Sequence, residues 1–212
     1  MSVLDEIIDD LGVDAQNQQS IDRANSDEVD KYSKIKEECR YDFEKFCRTF
    51  LGEQFSSTWS TFHYDLVKAL EDIIFNHKNE ETKNVRAAPR GHAKSTFVSF
   101  AFPLWCICYG YKQTIIVISC SADMARLFLT RIREELEFNE LIIKVFGKLQ
   151  GSSKWNNSEI LTSTGVYCVG KGAGQQMRGL NFKSRPDLVI IDDLESEESV
   201  ATETQRATLD KW

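Results

Sequence analysis

From Lys31 to Phe50 the apolar and aromatic positions Tyr32, Ile35, Cys39, Phe43, Phe46, Cys47 and Phe50 recur at steps of three and four residues. That spacing predicts a helix over 31–50, and a second covers Phe62–Asn76. Beyond them, short apolar runs alternate with helical stretches. Asn84–Ala88 reads as a short strand leading into a turn, Ser95–Tyr109 as an apolar helix and Thr114–Cys120 as a buried strand. Ala122–Phe138 sets Ala125, Leu129, Ile132 and Leu136 on one helical face. Ile160–Thr162 and Val166–Val169, split by Ser163-Thr164-Gly165, read as a hairpin. Leu188–Ile191 is a wholly apolar strand ending in Asp192-Asp193, and Glu195–Trp212 reads as helical. Continuously apolar strands separated by helices predict an α/β fold with a mostly parallel sheet flanked by helices on both faces.

Ahead of this alternation, Val3, Leu4, Ile7, Ile8 and Leu11 form a short amphipathic segment, followed by the polar run Asp14–Asp30. Residues 1–30 are read as an acidic N-terminal helical extension, either partly flexible or a docking helix, and 31–212 as one domain. The extension holds nine acids against one Arg, a balance of −8 within a chain of net charge −7, so the remainder is close to neutral. A neutral sum neither demands nor excludes a nucleic-acid partner, because binding depends on a local basic face. Hydrophobic residues at 42% and charged residues at 28% exclude a disordered chain. The longest apolar stretch, Phe97–Tyr109, is too short to span a bilayer and is interrupted by Ser99 and Pro103. The six cysteines lack metal-ligand spacing and read as reduced thiols.

Two motifs carry chemistry. Ala87-Ala88-Pro89-Arg90-Gly91-His92-Ala93-Lys94-Ser95-Thr96 lies between a predicted strand and a predicted helix. A phosphate-binding loop needs backbone N–H groups at a helix N-terminus, one Lys and one hydroxyl. Here Lys94 would reach the β/γ-phosphates and Ser95 would hold Mg²⁺. The usual G-x-x-x-x-G-K-[ST] spacing maps its glycines onto Ala87 and Ala93, while Gly91 sits inside the loop. An alanine is tolerated there where φ is negative and strained where φ must be positive. The second motif, Arg185-Pro186-Asp187-Leu188-Val189-Ile190-Ile191-Asp192-Asp193, delivers paired carboxylates at a strand end, where ligands bind in open α/β sheets. Asp192 would hold Mg²⁺ through water and Asp193 would polarise the attacking water, with Glu195 as its substitute. Asp192-Asp193-Leu194-Glu195 reads equally as a solvated acidic turn when taken alone.

In the order APRGHAKST, GAGQQMRGLNF and RPDLVIIDDLES, the chain over roughly 40–212 resembles the large terminase subunits of tailed bacteriophages. The glycine-rich exit of the hairpin (Gly170, Gly172, Gly174) is similar too. The resemblance implies a P-loop NTPase fold of the RecA-like (ASCE) kind and an ATPase motor that moves double-stranded DNA into a procapsid. It implies ATP and Mg²⁺ as cofactors, bound around Arg90, Gly91, His92, Ala93, Lys94, Ser95 and Thr96, and a nucleobase-contacting segment at Trp59, Phe62 and His63. Core packing is the competing role for Trp59 and Phe62. Arg178 is expected as the arginine that reaches a neighbouring subunit's ATP, with Arg185 its rival. Ser119-Cys120-Ser121 resembles the strand-end turn that links the nucleotide site to movement. The implied partners are a portal protein, a small terminase subunit and further copies in a ring, with the chain alone monomeric. The implied location is the cytoplasm of an infected bacterium, with no membrane. On this reading the chain stops before a metal-dependent nuclease domain and does not cut DNA. Trp155 and Ser152–Ser158 read as a surface loop or a DNA contact. A helicase-like P-loop ATPase and a nucleotide-binding assembly module with little hydrolysis are the alternatives.

Overall fold

A computed structural model describes residues 26–76, 83–89, 91–176 and 185–194. The chain divides into two compact units, Met1–Glu38 and Cys39–Trp212. The first contributes a helix over 26–38 (α1), on which the Tyr32 hydroxyl donates to Glu28 at 2.6 Å. The single helix expected over 31–50 is broken at 39–42. Asp42 causes a fresh start there: its carboxylate accepts from Lys45 N at 2.7 Å and caps α2 (Phe43–Phe50).

The second unit continues with α3 (Gly52–Phe55) and α4 (Thr61–Phe75), close to the expected second helix. Then follow α5 (Phe102–Tyr109), β1 (Thr114–Ser119), α6 (Ala122–Phe138) and α7 (Glu140–Phe146). The strands β2 (Gln150–Trp155), β3 (Glu159–Thr162), β4 (Tyr167–Gly172) and β5 (Leu188–Asp192) complete the element order. Phe43 against Phe102 and Trp105, and Phe46 against Tyr109, pack α2 on α5, and the buried Trp105 indole donates to Cys39 O at 3.1 Å.

The protein is α/β, with a five-stranded sheet in the order β2-β3-β4-β1-β5. The expectation of a mostly parallel sheet is corrected: β1 runs parallel to β4 and β5, but β2–β3 and β3–β4 are antiparallel. The expected hairpin is present as β3–β4, with Ile160 opposite Cys168. It extends by β2 in the segment read as a polar surface loop. The expected strand Asn84–Ala88 forms no strand; residues 83–89 are irregular, and Val85 is 92% exposed. Without a buried face, its apolar residues have nothing to hold them in a ladder. No helix among the described residues is long and apolar enough to cross a membrane.

Two details aim the strand ends. Asp187 accepts from Gln113 N and Thr114 N, both at 2.8 Å, and so ties the start of β5 to the start of β1. The resulting register sets Asp192 beside Ser119. On β4, a Cβ at Gly172 would come within 2.4 Å of Ala122 N, so only glycine lets the start of α6 approach the sheet. Ser121, whose hydroxyl accepts from Met124 N at 3.2 Å, caps α6 at that point.

Candidate functional site

The helix that follows the loop begins at Lys94 and is not a plain α-helix. Thr96–Ala101 form a π-helical turn in which Phe102 N donates to Phe97 O, five residues back. Pro103 accounts for it: a proline has no N–H for the α-pattern, and its ring excludes the carbonyl four residues earlier, that of Ser99. The widened turn resolves the clash and leads into α5.

The loop itself is left-handed at two positions, Gly91 (φ 84°) and Ala93 (φ 51°). Of the two alanines that stand where glycine is usual, Ala87 keeps a negative φ, so only Ala93 is strained. His63 braces the loop. Its Nδ1 accepts from Ser60 N at 3.0 Å, which leaves the proton on Nε2 to donate to His92 O at 3.1 Å. The ring stacks on Phe97, with centroids 5.3 Å apart. Both ring nitrogens are therefore hydrogen-bonded within the protein, and His63 supports the loop. Trp59 is buried, with the Arg48 guanidinium 4.3 Å from its ring centre. Phe62 is half-buried and meets the His92 ring edge-on.

Across from the loop, the end of β5 presents the two acids. Lys94 Nζ lies 3.1 Å from Asp193 Oδ1, 99 positions away in sequence, and 3.5 Å from Asp192 Oδ1. Asp192 is 4% exposed, and its other oxygen, Oδ2, accepts from the Ser99 hydroxyl at 2.9 Å. Asp193 is exposed and itself left-handed (φ 43°), which aspartate tolerates better than most residues. Burial alone would lower the Lys94 pKa, but the Asp193 hydrogen bond and the charges of Asp192 and Asp193 hold it above the usual lysine value. Lys94 thus stays a cation bracketed by two carboxylates.

Of the residues singled out from the sequence, Lys94, Asp192 and Asp193 are brought together directly, and His63 supports the loop they face. Gly91, His92 and Ala93 are exposed on the loop, and Ser95 and Thr96 are half-buried on the first helical turn. Arg90, Arg178 and Glu195 lie outside the described residues, and Arg185 is exposed at the entry to β5. Ser99 was missed. A lone hydroxyl in an apolar helical run, four residues before a proline, was the signal that could have found it.

A cavity of about 300 Å³ adjoins the loop, lined by Trp59, His63, Ala93, Thr96, Phe97 and Arg131. Arg131 sits over the Phe100 ring, 4.3 Å from its centre. A larger cavity of about 570 Å³ lies between α3 and the end of α6, among Glu53, Glu134 and Glu135. It touches none of the loop or strand-end residues and is set apart from the site. All six cysteines are free thiols; burial pushes the Cys168 thiol up to about 12 and raises those of Cys47 and Cys106 as well. None of these three is a thiolate at neutral pH. No family model, curated protein or solved structure matches the chain, so the chemistry of the site rests on its own residues.

Proposed function

We propose that the chain is an Mg²⁺-dependent ATPase of the P-loop NTPase class, the motor part of a terminase large subunit that packages double-stranded DNA. The observation that carries the reading is the Lys94 bridge to Asp192 and Asp193. Two sequence motifs, each ambiguous alone, meet at one point, as a phosphate-binding lysine and a metal-holding acid require. In this reading Lys94 leaves the acids for the β/γ-phosphates, and the N–H groups at the start of the helix face the same anion.

The residues fit Mg²⁺. Asp192 offers a hard carboxylate oxygen beside Lys94, the kind of donor taken by an ion that binds one or two protein oxygens and fills its shell with water and phosphate. Asp192 Oδ1 and the Ser95 hydroxyl would hold it, and when bound it neutralises charge on the phosphates. Asp193, freed of Lys94, has an exposed carboxylate able to take a proton from the attacking water. An arginine from a neighbouring copy, Arg178 in this reading, would complete the site. The portal protein, the small terminase subunit, the ring assembly and the bacterial cytoplasm belong to the same proposal.

Calorimetry with ATP and Mg²⁺ tests it. Wild-type chain should bind, and Lys94→Ala should lose most of that affinity while still folding; equal binding by both rejects the loop assignment. Hydrolysis by the monomer should be weak, and robust multiple turnover would reject the need for a neighbour. On DNA, a packaging motor moves along the duplex without separating it, so strand separation would favour a helicase. The strained Ala93 favours one second reading, a nucleotide-binding module with little hydrolysis.

A further inference from the structure

We infer that Ser99 is the positioning residue for Asp192, and that the π-helical turn exists to aim it there. The inference rests on the proposed nucleotide site and names a residue that the two motifs do not contain.

Ser99 is fully buried, and a buried hydroxyl is costly unless it is hydrogen-bonded. A serine inside a helix commonly turns back to the carbonyl four residues earlier, which here is Ser95. Ser99 instead donates to Asp192 Oδ2, 93 residues away in sequence. It lies within Thr96–Ala101, and a π-turn holds one more residue than an α-turn, so side chains shift around the axis. Pro103 maintains that turn. The same proline that interrupts the apolar helix therefore helps direct the hydroxyl toward the sheet.

The consequence for Asp192 is a division of labour between its oxygens. Oδ2 accepts from Ser99, and Oδ1 is the oxygen that lies 3.5 Å from Lys94 Nζ. With its plane fixed, the carboxylate offers one oxygen to a ligand and cannot turn both toward Lys94. A lysine held by a single oxygen of a fixed acid is freer to move to a phosphate than one held by both. Ser99, fully buried and bonded to that carboxylate, acts through Asp192.

The test is calorimetric titration of the 212-residue chain with ATP, once with MgCl₂ and once with EDTA, for wild type, Ser99→Ala, Asp192→Asn and the double variant. Melting curves establish folding. Ser99→Ala should weaken binding about ten-fold with Mg²⁺, the loss of one charge-assisted hydrogen bond. It should leave binding in EDTA unchanged and add nothing in the Asp192→Asn background. Should Ser99→Ala not fold, Ser99→Cys keeps the volume with a much weaker donor and should show the same Mg²⁺-specific loss. Equal weakening with Mg²⁺ and with EDTA, or full additivity with Asp192→Asn, overturns the inference and makes Ser99 a packing residue. Wild-type affinity in the Ser99 variants overturns it while leaving the nucleotide site standing. Failure of the wild type to bind ATP with Mg²⁺ overturns the site itself and the inference with it.

Discussion

On the strand side of the site, Asp192 sits 4% exposed in a parallel ladder, with Ser99 on one oxygen and Lys94 on the other. On the loop side, Gly91, His92 and Ala93 are all exposed, and His63 braces them through a bond to the His92 carbonyl. One half is fixed by buried packing and register, the other by a brace and a strained backbone. The contrast suits a site that must keep its acid still while a charged ligand enters and leaves. On the proposed reading, the strand side supplies the preorganised charge and the loop side receives the phosphate.

The largest expected difference between the halves is in stability. Ile190 lies buried on β5 two residues before Asp192, and Ile190→Ala should cost about 3 kcal/mol through lost burial and a cavity. Val85, 92% exposed in the segment leading to the loop, should change stability by less than about 0.5 kcal/mol when replaced by Ala. Denaturant melts of the two variants compare the halves directly. Similar costs at both positions would mean that the lead-in segment is packed after all.

Asp187→Ala should come next, at about 2 kcal/mol, because it strips the acceptor from two backbone N–H groups at the start of β1. If the register is set there, hydrogen exchange should quicken along β5 and the Lys94 bridge should loosen with it. A melt unchanged by this variant would place the register in the apolar ladder alone.

How much of this was legible in the sequence follows the same division. The bounds of α6 follow from its apolar face and its Ser121 cap, and β1 and β5 follow from apolar runs too long for turns. The meeting of Lys94 with Asp192-Asp193 was readable because both motifs sit at element ends. β2 was not: Gln150–Trp155 is polar up to its last residue and has no buried position, so no apolar alternation marks it, and it pairs with the neighbouring hairpin. Asn84–Ala88 misled in the opposite direction, with strand-like residues and no face to bury. The π-turn was hidden because Pro103 in an apolar run marks a disturbance without saying which side chain it redirects.

A smaller effect of opposite sign is expected on the loop. Ala93→Gly should stabilise the chain by about 0.5–1 kcal/mol, since relief of the left-handed alanine outweighs the added freedom of the unfolded glycine. A parallel gain in ATP affinity would show that the strain resists the phosphate-binding shape. A gain in stability with lower affinity would show that it favours that shape. No gain at all would mean that the loop relaxes to a negative φ at little cost.

The smallest effect is the pH dependence of the bridge between the halves. Lys94 has a folded-state pKa above the ordinary value of 10.5, because its hydrogen bond to Asp193 and the nearby charges outweigh its partial burial. A raised pKa on a base adds stability that is fully present below the unfolded value. It is lost as pH climbs through the folded one, from about 10.5 upward. The contribution stays below about 1 kcal/mol, as one partner, Asp193, is exposed and pairs of that kind are screened. Wild type should therefore melt slightly above Lys94→Met at pH 8, with the gap closing as pH climbs above 10.5. A gap that widens with pH would reverse the sign and mean that the lysine is held neutral, which a bridge to two carboxylates forbids.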